Sequence, residues 1–153
     1  MKQIYPPLLA AGFQEIGPWQ LDQQFLEPFG ENERRLHLIN RLRVYLNDLI
    51  NLGIPLEIWL DGSFVTRKPE PDDVDMVVWV QASDIDQLPA AHKLKFRLLL
   101  MDRDRVRSLY DVDVYWAIPT SDHEREKWQC MFGFDQSPVP KPKGIFKLTL
   151  NHA

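Results

Sequence analysis

The feature that most constrains this chain is a pair of short apolar segments with acidic residues at their ends. Residues 56–60, Leu-Glu-Ile-Trp-Leu, have the length and composition of a β-strand and run into Asp61-Gly62-Ser63. Residues 73–80 predict a second strand, because one set of alternate residues is entirely apolar. Residues 64–72 contain two prolines, and we expect them to form a loop between the strands.

The second strand places two carboxylates on one of its faces. The opposite face is apolar and carries Val74, Met76, Val78 and Val80. Two unpaired carboxylates are costly in a core, so Asp73 and Asp75 should face a cleft, a cation or solvent. They lie roughly 6.5–7 Å apart along the strand and can converge on one hard divalent cation such as Mg²⁺. Trp79 shares their face, where it is positioned to flank a nucleotide base.

A third carboxylate is available on a later predicted strand, residues 112–118. If this strand lies beside the second one, Asp113 joins the first two carboxylates, and Asp111 is its rival for that position. A structural ion pair of Asp113 with Arg103 or Arg105 is the alternative. Three carboxylates around two metal ions suit phosphoryl or nucleotidyl transfer, with Asp113 as the candidate general base.

Gly62 and Ser63 follow the first strand directly, where they predict a phosphate-binding turn. A glycine lets the backbone approach a phosphate closely, and backbone N–H groups with the Ser63 hydroxyl can bind its oxygens. Arg67 and Lys68 are placed to add positive charge. The alternative for Gly62-Ser63 is an ordinary turn, and the alternative for Arg67 and Lys68 is a solvated loop.

The longest periodic segment, residues 31–52, predicts an amphipathic helix with Asn32 as N-cap and Gly53 as C-terminal stop. Its predicted apolar stripe consists of Leu36, Ile39, Leu42, Leu46, Leu49 and Ile50. Four arginines lie largely off this stripe: Arg34, Arg35, Arg41 and Arg43. They predict a solvated helix face or a surface for RNA or an acidic protein.

The remaining segments complete one domain over residues 1–153, of which residues 1–30 are expected to be an irregular extension with a short helix near Leu21–Leu26. Residues 83–101 predict a helix that Pro89 splits or delays, with Leu94, Leu98 and Met101 as its apolar stripe. A basic connector follows, with Arg103, Arg105 and Arg107. A helix after Pro119 and a strand over residues 144–150 come last.

Composition narrows the class of protein further. The chain has 153 residues, 44% of them hydrophobic, which suits one globular domain with a sizeable core. With a net charge of −4 the chain lacks the overall positive charge that is typical of nucleic-acid-binding proteins, so such contact would need a local basic patch. Cys130 is the single cysteine, and no apolar run approaches the ~20 residues of a membrane span. These features predict a soluble, cytoplasmic protein with no membrane partner.

Taken together, the segment from Leu60 to Phe64 and the segment from Asp73 to Val78 resemble the signature of the DNA polymerase beta-like nucleotidyltransferase superfamily, whose minimal members are of similar size. With Trp128, residues 132–134 and Lys143-Gly144-Ile145, most of the chain from about residue 30 is similar to a family of short bacterial and phage proteins placed in that superfamily.

The resemblance implies an α/β (α+β) nucleotidyltransferase fold, a mixed sheet flanked by helices. It also implies Mg²⁺, as a two-metal site, and a nucleoside triphosphate (NTP) substrate such as ATP. Gly62 and Ser63 would bind the triphosphate, with Arg67 and Lys68 as further nucleotide-binding candidates. Asp73, Asp75 and Asp113 would be the catalytic metal ligands, and Asp111 stays open as the third.

The function implied is Mg²⁺-dependent transfer of an NMP from the NTP to a hydroxyl of a protein, such as a partner toxin, or of an RNA such as tRNA. A toxin–antitoxin or phage-defence role fits either acceptor. One alternative is a catalytically inactive, antitoxin-like interaction module that acts by binding a partner. Another is a metal-dependent nuclease, although we find no convincing catalytic lysine after the acidic pair.

Overall fold

The computed structural model describes residues 3–120, 122–135 and 137–152. Its strands are β1 Phe13–Glu15, β2 Leu56–Asp61, β3 Val74–Trp79, β4 Val112–Ala117 and β5 Ile145–Leu150. Its α-helices are α1 Leu21–Phe25, α2 Glu33–Ile50, α3 Ala82–Asp86, α4 Ala90–Phe96, α5 Arg103–Tyr110 and α6 Asp122–Phe132. The strands form one sheet in the order β1-β5-β2-β3-β4.

This sheet is mixed and is flanked by helices, which confirms the expected α/β (α+β) fold. β2 pairs antiparallel with β3 and β5, whereas β4 pairs parallel with β3 and β1 parallel with β5. The chain crosses from β3 to β4 through α3, α4 and α5, since parallel neighbours need a long connection. The expected strands and the helix that Pro89 interrupts are confirmed.

The two faces of the sheet carry different cores. The larger core contains Val74, Met76 and Val78 of β3 and the following Val80, together with residues of α2, α4 and α5. The opposite face carries a smaller aromatic cluster under α6, built on Trp59, Val77, Trp79 and Phe132. Alternation along β3 therefore sorts its side chains as predicted, and Asp75 projects on the face that carries α6.

The helix over residues 33–50 is confirmed, but the face that it buries was predicted only in part. Asn32 caps it through a bond from the backbone N–H of Arg35, 2.8 Å long. Its buried residues are Arg35, Leu38, Ile39, Leu42, Tyr45, Leu46 and Leu49. Leu36 and Ile50 are instead partly exposed, at 44% and 36%, so those two assignments to the stripe are wrong. The stripe is rotated toward Leu38 and Tyr45, because Tyr45 packs against Tyr110 of α5 and donates to the carbonyl of Leu99.

Arg35 corrects the prediction of a solvated arginine face. It is fully buried, and desolvation lowers the pKa of its guanidinium to about 10. Its side chain donates to the carbonyl oxygens of Phe25, Phe64, Thr66 and Lys68, at 2.7–3.2 Å. Arg35 therefore anchors the loop between β2 and β3 to α2.

Three smaller expectations also change. The basic connector is helix α5, which Asp102 caps through the backbone N–H of Arg105, because Val106 and Tyr110 bury one face. Leu94 and Met101 are exposed, and Phe96 and Leu99 are buried in their place. The segment 1–30, whose first two residues lie outside the described part, contributes strand β1 to the sheet in addition to the expected short helix.

Across the residues that the structure describes, we find no helix with the length and apolarity that crossing a bilayer demands.

Candidate metal and nucleotide site

Three carboxylates converge at one end of the central strands. In the parallel pair, Asp75 on β3 is the register partner of Asp113 on β4, and Asp73 lies one residue before β3 on the same face. One carboxylate oxygen from each of Asp73, Asp75 and Asp113 lies within 4.8 Å of those of the other two. The structure thus brings the three predicted acidic residues together.

A fourth carboxylate extends this row. In the antiparallel pair, Asp61 at the end of β2 is the register partner of Asp75. Asp61, Asp75 and Asp113 therefore lie side by side on three adjacent strands, as the alternation of side chains places them on one face. Strand register alone produces this row, since the three residues are far apart along the chain.

The electrostatics of the cluster oppose a full negative charge. Burial first, then the nearby charges of Asp73, Asp113 and Asp61, raise the pKa of Asp75 to about 7. Burial and the charge of Asp113 also raise the pKa of Asp73. In the absence of a cation the site therefore favours a bound proton on Asp75, which a divalent cation would displace.

Two arginines of α5 neutralise the outer side of the cluster. Arg103 and Arg107 contact the two oxygens of Asp113 at 2.6 and 2.8 Å. The hydrogen bond to Asp113 raises the pKa of Arg103, whose guanidinium also lies over the ring of Tyr115, 4.1 Å from its centroid. The expected ion pair of Asp113 is thus present with Arg103, although Arg107 rather than Arg105 is its second partner.

Asp111 does not join the cluster. It follows the end of α5 with φ +55°, and its carboxylate contacts His37 at 3.0 Å and Arg41 at 3.6 Å on α2. The structure therefore answers the choice between the two acidic residues in favour of Asp113. The left-handed backbone of Asp111 and its contacts with α2 take its carboxylate away from the cluster, whereas the parallel register sets Asp113 beside Asp75.

Gly62 joins the predicted phosphate turn to the carboxylates. Its backbone has φ +79° and ψ −167°, a conformation that is essentially restricted to glycine. A Cβ atom at this position would overlap Oδ2 of Asp75. The glycine therefore allows the backbone before Ser63 to lie directly against a candidate metal ligand.

We expect Gly62→Ala to lower the free energy of unfolding by about 1–3 kcal/mol and to weaken cation binding, because the backbone conformation and the Asp75 carboxylate cannot both be kept. Gly30→Ala is the matched control, since Gly30 has φ +65° and ψ −138° but open space where a methyl group would be added. Denaturant unfolding and Mg²⁺ titration of both variants measure the difference. Equal cation affinity in the two variants would contradict the proposed role of the contact with Asp75.

A cavity of about 390 Å³ lies beside the cluster. Gly62, Ser63, Lys68, Asp73 and Asp75 line it. The N-terminal segment and the end of α6 close its sides through Tyr5, Met131 and Phe134. Most of the predicted nucleotide and metal residues therefore line one open cleft.

Three predicted residues do not line this cavity. Asp113 is outside the lining, although one of its carboxylate oxygens lies within 4.8 Å of oxygens of Asp73 and Asp75. Among the described residues, Arg67 lies outside the lining, where its side chain is exposed and its backbone N–H donates to the carbonyl of Pro6. Trp79 is 2% exposed beneath α6, with the guanidinium of Arg125 5.0 Å from a ring centroid, so it cannot flank a base. Helix α6 covers Trp79 because the Trp59–Trp79 pair supplies its apolar contact surface.

Lys143 is the site residue that the sequence reasoning missed. It precedes β5, is 9% exposed, lines the cavity and forms an ion pair with Asp61. The local sequence shows only a lysine in a proline-rich loop, a pattern that is typical of a solvent-exposed side chain. Its partner Asp61, which ends an apolar strand just before the phosphate turn, was the available signal.

The chemistry of the donor set fits a hard divalent cation. Three carboxylate oxygens within 4.8 Å match the oxygen ligands that Mg²⁺ takes, and the remaining positions would fall to water or substrate phosphate. The raised pKa of Asp75 and the space left by the missing Cβ of Gly62 agree with such a site. The fit requires Arg103 and Arg107 to give up part of their contact with Asp113.

Comparison with known proteins gives the family but no activity. Residues 11–149 match the model of the family of unknown function DUF6932, so the chain belongs to that family. No curated protein and no solved structure matches the chain.

Proposed function

We propose that this protein is a Mg²⁺-dependent nucleotidyltransferase that moves an NMP from an NTP to a hydroxyl group of a protein or an RNA. The observation that carries the proposal is the convergence of Asp73, Asp75 and Asp113, of which Asp73 and Asp75 line one cavity together with Gly62 and Ser63. Carboxylates alone suit many metal sites. A glycine turn in contact with one of them adds a place for phosphate.

In the proposed reaction the acceptor oxygen forms a bond to the α-phosphorus, the bond to the β-phosphate bridging oxygen breaks, and pyrophosphate leaves. Bound Mg²⁺ would stabilise the charge of the phosphates and lower the pKa of the hydroxyl. Asp73 and Asp75 would hold the cation, and the Gly62-Ser63 turn would orient the triphosphate. Asp113 would accept the proton of the hydroxyl once Arg103 and Arg107 release its oxygens.

Label transfer tests this proposal. The protein is incubated with each α-labelled NTP, Mg²⁺ and cell lysate, and labelled protein and RNA are separated. We expect transfer with the wild type and a loss of at least about 100-fold in Asp73→Asn and Asp113→Asn, since each removes a ligand of the proposed centre.

Asp111→Asn is the matched control, because it removes a neighbouring carboxylate that the cluster does not use and asparagine tolerates its positive φ. It should retain activity near that of the wild type. Absence of label transfer by the wild type, or transfer that persists in Asp73→Asn, would rule out the proposed reaction.

A non-catalytic interaction module on the same fold is the second candidate, and one observation favours it. Arg103 and Arg107 already contact both oxygens of Asp113, so this carboxylate is neutralised without a metal. Calorimetric titration separates the two candidates. Metal-dependent binding of an NTP supports the transferase, whereas absence of both Mg²⁺ and NTP binding supports the module.

A further inference from the structure

We propose that Lys143 binds the β- and γ-phosphates of the NTP, with Asp61 holding its ammonium group in the cavity until the phosphates replace the carboxylate. This inference rests on the proposed function, because it assigns a residue to the triphosphate of that same site. It adds a positively charged, phosphate-binding side chain that lies just before β5, a strand that contributes none of the predicted site residues.

The position of the ammonium group is the first argument. Lys143 forms its ion pair with Asp61, which immediately precedes the Gly62-Ser63 turn and is the register partner of Asp75. Both members of the pair line the cavity. The positive charge of Lys143 therefore lies at the side of the carboxylate row where the turn would receive phosphate, whereas Arg103 and Arg107 lie at the Asp113 side.

The backbone around Lys143 is held from two directions. Its N–H donates to the carbonyl of Gly133 after α6, at 2.7 Å, and the N–H of Gly144 donates to the carbonyl of Leu9, at 2.6 Å. A Cβ atom on Gly144 would overlap the side chain of Leu9. These contacts fix the origin of the lysine side chain, so that little freedom remains to be lost when it binds a ligand.

Charge balance is the second argument. The described residues that line the cavity include the aspartates Asp61, Asp72, Asp73, Asp75 and Asp135, but among basic residues the lysines Lys68 and Lys143. A polyphosphate entering this space meets repulsion unless cations offset the carboxylates. A lysine that is already desolvated and aimed into the cavity supplies such a charge and three hydrogen-bond donors.

A purely structural role for the pair would place both charges in the core at a desolvation cost that a pair of apolar residues would not incur. A ligand-binding role accounts for this desolvation cost, because both members of the pair line the cavity where the ligand would bind. Exchange of one carboxylate partner for phosphate oxygens keeps Lys143 neutralised in both states. Asp61 would then be a positioning residue, and Lys143 the group that touches the substrate.

The experiment compares nucleotides that differ only in their phosphates. Calorimetry measures binding of each Mg²⁺–NTP, and competition measures the matching NMP, for the full chain and for Lys143→Met. We expect the variant to bind the NTP about 10- to 100-fold more weakly and the NMP with unchanged affinity, since the NMP lacks the β- and γ-phosphates. Lys141→Met is the matched control, because Lys141 lies in the same loop, is exposed, and should bind both as the wild type does.

The double variant Asp61→Asn/Lys143→Met keeps the test decisive if the single variant does not fold, because it removes both buried charges together. It should show the same selective loss for the NTP. Wild-type NTP affinity in a folded Lys143 variant, or an equal loss for NTP and NMP, would overturn this inference alone. If the wild type binds none of the four Mg²⁺–NTPs, the proposed function fails and this inference fails with it.

Discussion

Replacing Asp75 by Asn is expected to abolish the proposed nucleotide transfer and, at the same time, to increase the free energy of unfolding of the metal-free protein near pH 7. The loss of activity follows from removal of the central ligand of the cluster. The gain in stability follows from the raised pKa of Asp75, about 7, which burial and the neighbouring carboxylates produce. Asparagine has a similar shape and carries no charge.

The pH dependence of this effect has a definite sign. An acid whose pKa is raised in the folded state stabilises that state while protonated, and this contribution disappears as the pH rises through the folded-state pKa. For Asp75 the loss therefore develops between about pH 4 and pH 7, and Asp75→Asn avoids it. We expect the stability difference to be small near pH 4 and to reach on the order of 1–3 kcal/mol at pH 7 and above.

Urea unfolding at several pH values, with and without Mg²⁺, measures both parts of the prediction. Saturating Mg²⁺ should stabilise the wild type, by about 2.7 kcal/mol at 100 times the dissociation constant, and should leave Asp75→Asn almost unchanged. Asp111→Asn is the control, since its exposed pair with His37 and Arg41 is worth about 0–1 kcal/mol. A variant of Asp75 that is less stable than the wild type at pH 7 would falsify the electrostatic account of the cluster.

The second large effect is expected at Arg35, which lies outside the cavity lining. Arg35→Met should lower the free energy of unfolding by about 3–5 kcal/mol, because it leaves buried carbonyl oxygens without a donor. Two of them, on Phe25 and Phe64, accept from the same guanidinium nitrogen in a buried environment. The side chain also packs on Phe29, with Cζ 3.6 Å from the ring centroid.

Arg43→Met on the same helix is the matched control. Arg43 pairs with Asp22 at 2.9 Å, and both side chains are more than one third exposed, so we expect a loss below about 1 kcal/mol. Denaturant unfolding compares the variants, and hydrogen exchange over residues 64–68 reports whether the loop before β3 opens. Similar stabilities of the two variants would show that the carbonyl contacts of Arg35 contribute little.

A variant of Arg35 that folds should also bind Mg²⁺ and NTP more weakly. The carbonyls of Thr66 and Lys68 that Arg35 binds lie in the loop that connects the Gly62-Ser63 turn to Asp73. Release of this loop loosens both ends of the site, and an error of about 1 Å in ligand position is costly for catalysis.

Local sequence patterns were sufficient to predict features that depend on residues close together in the chain. The alternation of residues 73–80 correctly separated the core side of β3 from the side that carries Asp75, because a strand has a fixed two-residue period. Asn32 was identified as a helix cap from its position before a periodic segment. The mixed sheet with flanking helices, which the resemblance implied, is also confirmed.

Other features needed contacts between distant segments. Strand β1 has three residues and no pattern of its own, and it exists because β5 pairs with it. The charge of Arg35 predicted a solvent position, yet carbonyls from two distant segments make its burial favourable. No local rule assigns such a partner, since its free energy comes from groups far away in the chain.

The sequence by itself determined that Gly62, Ser63, Asp73 and Asp75 share one candidate site, because a strand, a turn and a second strand place them within one hairpin-like unit. The tertiary structure decided which further charges complete it. The parallel register of β3 and β4 sets Asp113 beside Asp75, contacts with α2 hold Asp111 away, and the entry to β5 brings Lys143 to Asp61. The physical reason is that strand period acts along the chain, whereas sheet register and ion pairing act between segments that only folding brings together.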